Sequence, residues 1–195
     1  MKLIRRLYDW VLHWAETPYA IPALFVLSFA ESSFFPVPPD VLLIALALSI
    51  PNRSLRYAFI CSVASVLGGI LGYAIGYFGY ETIGKPIIDI YHGHSVMEQI
   101  RSYYDSYGFL GVLTAAVTPI PYKVFTISSG FFKFSFVSFV IASVIGRSLR
   151  FFLVAGLIWK FGPPIKEFID RYFNILSYLF ILLLVAGFIV LKYIL

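Results

Sequence analysis

The chain has 195 residues, 60% of them hydrophobic, 19% aromatic and only 13% charged, with a mean hydropathy of +0.87. That composition excludes an ordinary soluble domain and gives the class, an all-α integral membrane protein forming a single multi-pass membrane domain over residues 1–195. The formal charge of +5 gathers at the ends of apolar runs, which is an orientation signal and excludes a basic nucleic-acid groove.

Residues 2–6 are basic enough to open a signal peptide. Asp9, His13 and Glu16 interrupt the apolar stretch that should follow, and no small-residue cleavage site closes it. Residues 2–14 read instead as an amphipathic interfacial helix, with Leu3, Leu7, Trp10, Val11 and Trp14 on one face. An apolar segment over 19–50 comes next, broken at Pro36-Val37-Pro38-Pro39-Asp40. Residues 57–80 contain no Asp, Glu, Lys or Arg, enough to cross a hydrocarbon core about 30 Å thick. Within them Gly68, Gly72 and Gly76 form a small-residue stripe suited to close helix contact in lipid. The lone Cys61 has no intrachain disulfide partner.

The pattern then recurs. Residues 86–107 read as a second interfacial helix and 109–132 as a second broken segment, with its break at Pro119-Ile120-Pro121-Tyr122-Lys123. Residues 134–161 read as a second spanning helix, and 173–191, again without charge, as a last one. A shift of 78 residues aligns Ala64-Ser65-Val66 with Ala142-Ser143-Val144, Gly68 with Gly146, and Gly84-x-Pro86-Ile87 with Gly162-x-Pro164-Ile165. The chain therefore divides into repeat one, about 1–84, repeat two, about 85–162, and a C-terminal turn and helix over 163–195.

A proline pair removes a backbone donor and clashes with the preceding turn. In lipid such a break survives only where protein or a water-filled cavity surrounds it. The broken segments suit either kinked spans or re-entrant hairpins, and Arg53 and Arg56 favour a hairpin for the first, because its return puts them beside Lys2, Arg5 and Arg6 on the cytoplasmic side. Lys160, Lys166 and Arg171 then also lie inside, against Lys85, Arg101, Lys133 and Lys192 outside. One crossing separates the repeats, so they are inverted and two hairpins dip from opposite faces, as in transporters with a midplane site.

Five ionisable residues fall at membrane depth: Glu31, Asp40, Lys123, Arg147 and Arg150. Left facing lipid they would cost roughly 12–17 kcal/mol together. They must face one another, water or a polar ligand, and two acids against three bases leave one positive charge over, which favours an anionic headgroup. Meeting tips would let Asp40 and Lys123 serve each other as counter-ions. Each residue also has a plainer reading. Asp40 is placed to stabilise a helix N-terminus, and Lys123 to snorkel toward an interface. Glu31 suits either a proton carrier or a structural hydrogen bond. Arg147 and Arg150, one turn apart, suit either a lock on the two acids or a phosphate-binding fork.

Other chemistry finds little support. His92-Gly93-His94 with Glu98 lacks a further metal ligand. No phosphate-cradling loop, nucleophile elbow or zinc-protease motif is present, and Ser32-Ser33 and Ser128-Ser129 have no histidine at membrane depth to activate them. The expectation is a protein that is no enzyme and takes no metal or cofactor.

Glu31-Ser32-Ser33-Phe34-Phe35-Pro36-Val37-Pro38-Pro39-Asp40, with Thr118-Pro119-Ile120-Pro121-Tyr122-Lys123 and Gly146-Arg147, resembles the DedA family of VTT-domain (SNARE-associated) membrane proteins, nearest its YqaA-like branch. The resemblance implies a bacterial inner-membrane protein with two opposed re-entrant hairpins. It implies lipid movement between leaflets, of undecaprenyl phosphate or phospholipid, with proton or sodium coupling in some members. It also implies that two acids and two arginines form the functional set. Glu31 and Asp40 match the acids. Where the family carries R-F-I-P-x-x-R, this chain has Thr118 at the first arginine and Lys123 one position short of the second.

The reading is thus a lipid or lipid-phosphate translocase in which Lys123, Arg147 and Arg150 bind the headgroup and Glu31 and Asp40 gate, pair or carry protons. An ion-coupled carrier of a small solute and a non-transporting scaffold are the alternatives. The oligomeric state is open, a homo-oligomer included.

Overall fold

The computed structural model describes residues 17–35, 37–90, 94–118 and 120–162. The interfacial helix expected over 2–14, the last span over 173–191, Pro36, Pro119 and His92 lie outside them. The described residues form helices and turns without strands. In chain order they are α1 (Ala20–Ser33), α2 (Asp40–Ser49), a 3₁₀ turn (Pro51–Arg53), α3 (Ser54–Gly79), a π turn (Tyr80–Gly84), α4 (Lys85–Ile90), α5 (His94–Val117), α6 (Tyr122–Phe131) and α7 (Phe136–Phe161).

Both proline breaks interrupt helices as their chemistry demands. The residue before a proline is pushed out of the helical region, and α1 ends at Ser33, three residues before Pro36, with the N–H groups of Phe34 and Phe35 both bonded to the Ala30 carbonyl. Helix α2 restarts with Asp40 in its first turn, directly after Pro39. At the second break α5 ends before Thr118, and α6 restarts after Pro121, which has φ −60° and an extended ψ of 100°. Ser135 caps α7 by accepting from the Ser138 N–H. Gly162 closes α7 at φ 41°, a conformation that an L side chain rarely adopts.

Two sequence expectations need correction. Residues 86–107 and the arm from 109 are not separate helices, because α5 runs unbroken from His94 to Val117. No proline stands at Tyr107-Gly108-Phe109, and Gly108 is where the helix receives the Phe134 ring, which an added Cβ would meet at 2.9 Å. The Gly84-x-Pro86 motif does not stop the first span either. The Lys85 N–H bonds the Tyr80 carbonyl five residues back, and this wider turn carries the helix past Pro86 into α4.

Helix α3 is the centre of the assembly and packs against α1, α6 and α7, while α5 packs against α7. The glycine stripe makes these approaches close. A Cβ on Gly68 would stand 2.0 Å from the Phe29 carbonyl oxygen of α1, and one on Gly76 would stand 1.9 Å from the Ile127 carbonyl oxygen of α6. Gly72 lies between the two contacts, against Thr126. The stripe thus holds both broken segments against one helix.

Two apolar clusters result. One joins Leu24, Leu42, Leu43, Leu46, Tyr57, Ala58, Phe151 and Ala155; the other joins Val112, Ala115, Ala116, Tyr122, Phe134, Phe139 and Ala142. The outward faces are apolar too, with Phe59, Val63, Leu67 and Ile75 exposed on α3, and Ile141, Ile145, Leu149 and Leu153 on α7. Two helices, Pro51–Thr82 and Phe136–Phe161, are long and apolar enough to cross a membrane, and only 44% and 33% of their most apolar windows are buried. Water is the wrong solvent for such faces.

Candidate functional site

All five membrane-depth charges converge where the two breaks approach α3 and α7. Glu31 projects from the last turn of α1, and Arg147 meets its Oε2 with Nη2 at 2.8 Å. Arg147 also donates from Nε to Ser65 on α3, and Ser65 in turn shares a 2.7 Å hydrogen bond with Ser32. The guanidinium lies between two rings, 4.8 Å from the centroid of Tyr122 and 4.7 Å from that of Phe151. A cation stripped of water there keeps both a carboxylate and two ring faces. It is 2% exposed.

One turn further along α7, Arg150 grips Asp40 with two nitrogens, Nε to Oδ1 at 3.2 Å and Nη2 to Oδ2 at 2.9 Å. Its Nη1 donates to the Thr118 carbonyl at 2.7 Å. Arg150 therefore ties the residue that follows the first break to the residue that precedes the second. Lys123 makes the reciprocal tie, donating from Nζ to the Phe35 carbonyl at 3.1 Å. Both cations cap chain leaving the C-terminal end of a helix, where carbonyls lack intrahelical partners and the dipole is negative. Lys123 opposes the dipole of its own helix α6, and the end of α1 compensates it.

The expected pairing of Asp40 with Lys123 does not form. Arg150 occupies both carboxylate oxygens of Asp40, because its planar fork matches a carboxylate in a way an ammonium cannot. Among the described residues Lys123 has no carboxylate within ion-pair distance. The surplus positive charge of the sequence thus falls on one residue.

A layer of buried hydroxyls surrounds these pairs. Ser28 donates to the Cys61 carbonyl at 2.9 Å, Ser33 to the Gly68 carbonyl at 2.8 Å, and Thr126 to the Ser32 carbonyl at 3.2 Å. These bonds stitch α1, α3 and α6 together beside the break. Sequence reasoning weighed Ser32 and Ser33 only as nucleophiles and passed over Ser65, Thr126, Tyr122 and Phe151. The signal available was Ser28, Ser32 and Ser65 inside runs that are otherwise apolar. Among the described residues no three His, Cys, Asp or Glu side chains gather as a metal site.

Membrane-length helices with apolar outer faces, enclosing charges that one another, serine hydroxyls, ring faces and backbone carbonyls satisfy, define a membrane protein with a polar interior. The chain belongs to the VTT-domain, or DedA, family: the VTT domain matches residues 35–160, which take in both breaks, Asp40, Lys123, Arg147 and Arg150. A protein of Haemophilus influenzae, described as uncharacterized, is 34% identical over 192 residues, covering 98% of this chain and all of its own. A Histophilus somni relative is 32% identical over 87% of this chain and 91% of its own length. One from Methanocaldococcus jannaschii is 26% identical over 68% of this chain and 79% of its own. No solved structure matches the chain.

Proposed function

We propose that the protein moves a lipid or lipid phosphate between leaflets of a bacterial cytoplasmic membrane, with the anionic headgroup received by Lys123 between the two breaks. The carrying observation is the charge balance: among the described residues Glu31 holds Arg147, Asp40 holds Arg150, and Lys123 holds a carbonyl and no carboxylate. An anionic oxygen is a better partner for an ammonium than a neutral carbonyl is. Arg150, partly exposed, is the second cation within reach of a headgroup, and Arg147 positions Glu31. Proton or sodium coupling would act through the two carboxylates, whose release would free an arginine. A small-solute carrier would use the same groups.

In this reading the broken segments are re-entrant hairpins of an inverted repeat. Four features support that arrangement. Helices α2 and α6 each have 10 residues, and α3 and α7 each have 26. Both pairs recur at an offset of 82 residues, one turn from the 78 of the sequence match. At that offset Ser65 and Arg147 are equivalent positions, and they touch, as residues on a two-fold axis do. Lys133, expected outside, also forms an ion pair with Glu81, which directly follows the first span.

The test is headgroup exposure in liposomes carrying the purified protein. Faster exchange between leaflets than in empty liposomes is expected, and slower exchange with Lys123→Ala while the protein stays folded. No acceleration with or without a pH or sodium gradient would contradict the reading. One observation favours a non-transporting scaffold: both arginines are already paired. Under that alternative Glu31→Gln lowers stability and no transport is measurable in any variant.

A further inference from the structure

At the far end of α6, about 15 Å along the helix from Lys123, the chain presents a second arrangement of charge that the transport reading does not use. Lys133 lies in the turn between α6 and α7, and its Nζ stands 4.7 Å from the ring centroid of Tyr80 and 5.4 Å from that of Tyr77. It donates to Glu81, whose side chain is 43% exposed. Two ring faces and a carboxylate converging on one ammonium are the elements from which ammonium-binding cages are built.

The occupant is unusual. Lys133 is the one non-glycine residue with positive φ among those described, at 57°, a conformation unfavourable for a side chain that is neither Asn nor Asp. The backbone is held there while its ammonium fills the cage. The surroundings suit lipid contact. This end is dense in aromatic residues, with Tyr73 against Phe136 and Phe139, Tyr104 against Phe132, and Phe131 against Tyr80. Tyr77 and its neighbour Phe78 are exposed at 39% and 65%. Such residues gather at headgroup level in membranes.

We propose that Tyr77, Tyr80 and Glu81 form a binding site for the ammonium of a zwitterionic lipid headgroup, and that Lys133 is a tethered ammonium which fills the site when no lipid does. The lipid ammonium enters as Lys133 swings out, and the α6–α7 turn is released from the end of α3. The site is separate from the charges at the breaks and does not depend on transport.

The experiment is native mass spectrometry of the full chain released from micelles doped with phosphatidylethanolamine or phosphatidylglycerol. Lys133→Gly removes the tethered ammonium and accepts the positive φ, so the fold is retained. It should hold about threefold or more phosphatidylethanolamine than the unaltered chain, with phosphatidylglycerol retention not raised. Lys133→Arg keeps a cation in place and should show no gain. Adding Tyr80→Leu or Glu81→Gln to Lys133→Gly should abolish the gain. No gain in Lys133→Gly, an equal gain for phosphatidylglycerol, or a gain that survives Tyr80→Leu would each overturn the site. Free ethanolamine binding as well as the lipid would overturn its assignment to the membrane.

Discussion

The two ion pairs beside the breaks join the same kinds of group and stand one helical turn apart on α7, yet their settings differ. Arg147 and Glu31 have side-chain exposures of 2% and 15%, with the guanidinium between two rings and beside two serines. Arg150 and Asp40 are 17% and 19% exposed, and Arg150 also holds the Thr118 carbonyl. A buried pair that loses one member leaves the other without water or a partner, whereas a pair near water can be rehydrated. The inner pair therefore holds helices together, and the outer corner is where the proposed transport would have charges change partners. One constellation read from the sequence separates into a lock and a proposed site.

Cutting the lock should produce the largest effect. Arg147→Ala leaves Glu31 inside the protein and is expected to lower stability by roughly 3–5 kcal/mol, read by thermal denaturation in detergent micelles. Next comes the frame on which both regions rest. Gly76→Ala drives a methyl into the Ile127 carbonyl and should cost roughly 1–3 kcal/mol by forcing α3 and α6 apart. Arg150→Ala opens the outer corner and should cost about 1–3 kcal/mol, with Asp40 turning to water. If it destabilises as much as Arg147→Ala, the two regions do not differ in the way described.

The smallest effect sharpens the picture of the lock. Among the described residues the Tyr122 hydroxyl makes no hydrogen bond, so its ring alone serves Arg147. Tyr122→Phe should change stability by no more than about 0.5 kcal/mol, whereas Tyr122→Leu, which removes the ring face, should lower it clearly. The same denaturation assay decides both.

Much of this difference was legible in the sequence. Pro38-Pro39-Asp40 and Pro121-Tyr122-Lys123 announced helix breaks because proline chemistry is local, and α2 and α6 start where those residues stand. Charge in an apolar run announced a shared polar interior because solvation in lipid leaves few other solutions. The glycine stripe announced close packing for the same reason. Partner choice was hidden. It depends on which helix faces meet and on guanidinium geometry, so Arg150 took Asp40 where charge sign alone gave it to Lys123. The continuity of α5 through Gly108 and the π turn at Tyr80–Gly84 were hidden too, since each depends on packing around a residue that breaks helices in isolation.

The comparison rests finally on Lys123, the cation at membrane depth that no carboxylate holds among the described residues. The most direct measurement pairs leaflet exchange in liposomes with thermal stability for Lys123→Ala, beside the unaltered protein. The account predicts that exchange falls about tenfold or more, as expected for losing a charge-assisted contact, while the unfolding temperature stays within a few degrees. Undiminished exchange, or a loss of stability as large as that of Arg147→Ala, would contradict it.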